Sequence, residues 1–84
     1  MAYELFYTKG ALKDLSKLEK QIQERVLAVL ERCRIRPHAF VKKLVGGPYF
    51  KLRAGDYRVI ADIKQNQLVI FVIEIGHRKN IYER

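Results

Sequence analysis

The chain has 84 residues, 49% of them hydrophobic, with five Tyr and four Phe, a composition that excludes a disordered chain and fills one core but not two. Seventeen Lys and Arg against nine Asp and Glu leave a net charge of +8, so the expected partner is anionic. A single cysteine, Cys33, excludes an internal disulfide, and the longest apolar run, Leu68 to Ile73, falls far short of the ~20 residues that cross a bilayer. The start Met-Ala-Tyr-Glu-Leu lacks the basic and apolar segments of a signal peptide, and the expectation is a cytoplasmic protein with no membrane contact.

Residues 2–7 alternate, with Tyr3, Leu5 and Tyr7 on one side and Glu4 and Phe6 on the other, which predicts a strand. Thr8 then suits a helix N-cap. Ala11, Leu12, Leu15 and Leu18, followed by Ile22, Val26, Val29, Leu30 and Cys33, recur at helical spacing, while Lys13, Asp14, Lys17, Lys20, Glu24 and Arg25 fall on the opposite face. The pattern predicts two helices that turn between residues 16 and 20. Pro37 ends the second, because it disfavours helix at Arg36 and cannot donate to the ladder.

Residues 37–48 read as a connection, with Gly46-Gly47-Pro48 as its turn signal. That tripeptide lacks the Gly-Lys-Ser/Thr ending of a phosphate loop. Three strand patterns come next, Tyr49 to Arg53, Tyr57 to Ile63 and Leu68 to Ile75, joined by segments of hairpin length. The last is apolar on both faces and is expected at the centre of the sheet, covered on each side. From about His77 the chain reads as a tail. The expected fold is a single α+β domain spanning residues 1–84: a small antiparallel sheet, made of the N-terminal strand and a three-strand C-terminal meander, with two N-terminal helices packed on one face.

Positive charge is concentrated between residues 32 and 58, where Arg32, Arg34, Arg36, Lys42, Lys43, Lys51, Arg53 and Arg58 face Asp56 alone. Period-two geometry separates Phe50 and Leu52 from Tyr49, Lys51 and Arg53, and separates Tyr57, Val59, Ala61 and Ile63 from Arg58, Ile60 and Asp62. With the apolar sides turned to the helices, Lys51, Arg53 and Arg58 converge on the open face. Like charges on neighbouring strands cost stability, and a cost without structural return marks a functional site. Arginine suits phosphate because its planar fork donates two parallel hydrogen bonds.

Other chemistries fit poorly. His38 and His77 lie far apart with no further ligand at metal spacing, so no metal site and no cofactor is expected. Asp56 and Asp62 read as ion-pair partners of Arg53 and Arg58, and they are too few for a two-metal nuclease. Ser16, the only serine, has no histidine near it in sequence. Cys33 reads as a small core residue. Tyr49 and Tyr82 are candidates to stack on bases. What remains is metal-free phosphate chemistry or plain RNA binding.

The series Thr8…Ala11-Leu-Lys-Asp-Leu-Ser-Lys-Leu18, Tyr49-Phe-Lys-Leu-Arg-Ala-Gly-Asp-Tyr-Arg-Val59 and Gly76-His-Arg-Lys-Asn-Ile-Tyr82 resembles RelE-type toxins of the RelE/ParE superfamily over almost the whole chain. The resemblance implies a type II toxin inhibited by a RelB-like antitoxin in an oligomeric complex, with the ribosome and messenger RNA as targets. It implies metal-independent cleavage in the A site, by attack of a ribose 2′-hydroxyl on the adjacent phosphate. On that likeness Lys51 matches a residue implicated in proton abstraction, Arg58 the arginine that stabilises the phosphorane, Arg78 the arginine near the leaving oxygen and Tyr82 the stacking tyrosine. Arg53, with Lys43 and Tyr49, falls to RNA contact. Two positions depart from the pattern: Tyr49 and His77 stand where the best-known members carry lysine, and a histidine beside Arg78 is a candidate acid or base. Alternatives on the same residues are a ParE-like DNA gyrase poison, whose relatives lack this basic set, and a non-catalytic basic RNA-binding module.

Overall fold

Thr8 shows how the first helix begins. In the computed structural model, which describes residues 2–77, its hydroxyl accepts from the Ala11 amide and donates to the Ile73 carbonyl, both at 3.1 Å. One side chain therefore caps a helix and ties it to a strand 65 residues away. Strand β1 (Glu4–Tyr7) precedes this cap, α1 (Lys9–Ser16) and α2 (Lys20–Cys33) come after it, and the chain turns between the helices where expected. Gln23 holds that turn by donating to the carbonyls of Leu15 and Leu18 at 2.9 and 3.1 Å, the first of which also accepts from the Leu18 amide at 3.1 Å.

After α2 comes a 3-10 turn, Pro37–Ala39, then β2 (Val41–Lys43), β3 (Phe50–Ala54), β4 (Tyr57–Lys64) and β5 (Val69–His77). The α+β class and the helices on one face are as expected; the sheet is larger and mixed. It has five strands in the order β1-β5-β4-β3-β2. The extra strand, β2, lies inside the segment read as a connection and pairs antiparallel with β3. β1 runs parallel to β5, not antiparallel. The connection from β1 to β5 runs through both helices and strands β2 to β4, far longer than the dozen or so residues a parallel pair requires, whereas the hairpins of β3, β4 and β5 are antiparallel because their links are short.

The core lies between the helices and one face of the sheet. Ala11 of α1 and Val26, Leu30 and Cys33 of α2 are fully buried against Leu52, Val59, Ala61, Ile70, Val72 and Ile75. Burial of each large aliphatic chain contributes about 1.5–3 kcal/mol. β5 occupies an interior position, yet Phe71 and Ile73 on it are only half-buried, so the expected cover on both faces is absent among the described residues.

A bulge divides β5 into two halves. Ile60 pairs with Glu74 while Ala61 pairs with Val72, leaving Ile73 as the extra residue. β1 has ended by this point, and α1 takes over the exposed backbone. The Thr8 amide donates to the Val72 carbonyl at 3.0 Å, its hydroxyl donates to that of Ile73, and Asp14 Oδ2 accepts from the Ile75 amide at 3.1 Å. Beyond the bulge the alternation is inverted, so Ile75 joins the core.

A basic groove on the open face

The strand register brings the cations together. Arg53 lies directly opposite Arg58 across β3 and β4, and Lys42 lies opposite Lys51 across β2 and β3. Each of these partners faces away from Leu52 and Val59, which pair with each other on the core side. The result is an open groove of about 160 Å³ lined by Phe40, Lys42, Lys51, Leu52, Arg53 and Arg58. Like charges directly opposite each other oppose sheet pairing, so the arrangement suits an anion that brings them together. The Gly55-Asp56 turn between β3 and β4 sets this register. Gly55 has φ +63°, as the first central position of a tight hairpin favours, and Arg53 Nε donates to its carbonyl at 3.3 Å.

The predicted residues divide by face. Lys51, Arg53 and Arg58 lie together, as the alternation required. Lys43 pairs with Phe50 and so shares the opposite face; its neighbour Lys42 is the groove residue. Sequence reasoning missed Lys42 because β2 is only three residues long, although alternation from Val41 would have selected it. Tyr49 is exposed and its carbonyl accepts from the Leu44 amide at 2.9 Å, but it does not line the groove. His77 pairs with Tyr57 and packs edge-on against its ring, 5.3 Å between centroids. Tyr57 shares the face of Val59, so the β5 bulge has carried His77 to the side away from Arg58. Arg78 and Tyr82 lie outside the described residues.

The remaining charges have structural duties. Asp62 forms an ion pair with Lys64 at 3.2 Å, not with the groove arginines. Arg34, part of the basic stretch, donates to the Tyr3 carbonyl at 2.9 Å and pairs with Glu31 at 2.9 Å, fastening the N-terminal segment to the end of α2. Burial pushes the Cys33 thiol up to about 11, which leaves it a protonated core residue and a poor nucleophile at neutral pH. Burial, with the charge of Glu31, also raises the Tyr7 phenol. Among the described residues no three His, Cys, Asp or Glu side chains converge as a metal site, and no helix is long and apolar enough to cross a membrane.

Comparison with known proteins agrees in sequence and in shape. Residues 5–82 match the family described as the ParE toxin of the type II toxin–antitoxin system parDE. The chain is 35% identical over 86 residues to the mRNA interferase toxin RelE of Escherichia coli K12, covering 94% of this chain and 86% of that one. Among solved structures, a chain of the RelBE2 toxin–antitoxin complex from Mycobacterium tuberculosis matches with a TM-score of 0.87 at 25% identity, covering 93% of this chain and all of that one. The intact E. coli RelBE complex matches at 0.77 and 32% identity, covering 90% and 96%. With nearly its full length matched, this chain belongs to the ParE toxin family of type II toxin–antitoxin systems, as a RelE-type member.

Proposed function

We infer that this chain is an endoribonuclease toxin that cuts messenger RNA on the ribosome. The observation that carries this reading is the groove, where Lys42, Lys51, Arg53 and Arg58 face one another on one side of the sheet; the likeness to an mRNA interferase supports it. In the reaction, a ribose 2′-oxygen loses its proton to Lys51 and forms a bond to the adjacent phosphorus. Arg58 holds the added negative charge of the phosphorane through charge-assisted hydrogen bonds. The bond to the 5′-oxygen then breaks and that oxygen takes up a proton from water, leaving a 2′,3′-cyclic phosphate and a 5′-hydroxyl end, and Lys51 returns its proton to solvent. Arg78 and Tyr82 enter on the resemblance alone, at the leaving oxygen and against a base. His77 is left out of the chemistry, because its register sets it on the helix side.

A RelB-like antitoxin is the corresponding partner, supported by the matched RelBE complexes, and an oligomeric toxin–antitoxin complex in the cytoplasm belongs to the same reading. The test is 5′-end mapping of message on programmed ribosomes. Discrete A-site cuts bearing cyclic phosphate ends are expected, reduced ~10²–10³-fold by Arg58→Ala. Intact message with DNA damage on expression would instead point to gyrase, the reading that the ParE name of the family raises.

A further inference from the structure

The groove has an aromatic wall that none of the assigned roles uses. Phe40 lines it beside Lys42, Lys51, Arg53 and Arg58 and is itself 44% exposed. Its backbone is held firmly. The Phe40 amide donates to the Pro37 carbonyl at 3.0 Å, Pro37 is buried, and His38 packs edge-on against Phe50 of β3 at 5.7 Å. A ring on such a support meets a ligand without first being ordered. The other exposed apolar side chains differ. Phe6 is also 44% exposed, but its ring stacks on Phe71 at 5.6 Å; Tyr49 is exposed but does not line the groove, and Leu12, Ile35 and Val45 are aliphatic and stand outside it. Among the described residues, no ring stacks on Phe40.

We propose that Phe40 is a stacking platform for a nucleobase of the bound RNA strand, working beside the cations that hold its phosphates. The proposal rests on the reading that the groove binds RNA. Phe40 and Lys42 are two residues apart and line the same groove, so the segment entering β2 offers one base-binding and one phosphate-binding group in succession. Cationic grooves with interleaved rings hold single strands in this way, because every base has a π-face. The ring would select how a nucleotide next to the scissile phosphate is presented, and therefore which cuts are favoured.

The test compares Phe40→Ala, Phe40→Leu and Phe40→Tyr with the parent on programmed ribosomes, after thermal melts have confirmed folding. Stacking predicts that KM rises about tenfold in both the Ala and Leu variants, that the distribution of cuts changes with it, and that Tyr restores the parent KM. A Leu variant indistinguishable from the parent in KM and cut pattern overturns the proposal, since packing alone would then suffice. A second measurement is independent of cleavage. The chain contains no Trp and five Tyr, so Phe40→Trp installs a single indole that can be excited apart from the tyrosines. Quenching by a single-stranded RNA oligonucleotide, but not by an abasic oligonucleotide of equal length, is expected; equal quenching by both, or by neither, overturns the proposal. Should the parent cut no RNA, the nuclease reading fails while the fluorescence result still decides the role of Phe40.

Discussion

The two faces of the sheet are built from the same strands and stand in opposite relation to stability. Toward the helices, Leu52 meets Val59 and Ile63 meets Ile70, and water is excluded. On the other side, Arg53 meets Arg58 and Lys42 meets Lys51, and charge is crowded against like charge. One face lowers the free energy of the fold; the other sets like charge against like across the strands, a repulsion that an anion in the groove would offset. On the proposed nuclease reading, stability and activity fall to alternate residues of one strand, and substitution should separate them.

The largest effects come from striking each face in turn. Arg58→Ala should lower the cleavage rate ~10²–10³-fold while leaving the urea midpoint nearly unchanged, whereas Leu30→Ala, emptying a fully buried site, should cost about 2–5 kcal/mol of stability and spare the activity of the folded fraction. Rates and urea melts on both variants check the contrast; parallel losses in both would break it. Asp14→Ala removes the acceptor of the Ile75 amide and should cost about 1–3 kcal/mol, with faster hydrogen exchange at Ile75 than at residues of β4. Gly55→Ala places a side chain at φ +63° and within 3.1 Å of Arg25 Nη1, for a loss of about 1 kcal/mol or more and a shifted hairpin, seen in the melt and in weakened cleavage together.

The smallest effect is a pH dependence confined to the core face. The Cys33 thiol ionises at about 11 when folded against 9.0 as a free group, because burial disfavours the thiolate. The unfolded chain therefore loses this proton first. Stability from this group is complete below pH 9 and declines as pH rises toward 11. Cys33→Ala should flatten that part of the stability profile while lowering stability overall, as measured by urea melts at several pH values.

Much of this architecture is legible in the sequence wherever a short-range rule governs it. Helical spacing locates both helices, Pro37 ends the second, and alternation places Lys51, Arg53 and Arg58 on one face. What escapes depends on pairing between distant segments. The parallel match of β1 with β5 is a choice of partner that no local pattern encodes. β2 is too short for alternation to stand out, so the sequence points to Lys43 where the register selects Lys42. The bulge at Ile73 is hidden in an apolar run, where either parity looks the same, and for that reason His77 is expected near the cations but packs on the helix side.

The pairing of β1 with β5 also bears on when the molecule comes into being. β5 is the last described strand in chain order, yet it sits between β1 and β4 and is clasped by Thr8 and Asp14 from the first helix and its cap. Until it has been made, β1 has no neighbour in the sheet, α1 lacks the strand on which it chiefly packs, and Ile70, Val72 and Ile75 are missing from the core. Contacts of such long sequence separation form late in folding. A growing chain therefore carries its cationic hairpin without the scaffold that aims it until β5 has been made.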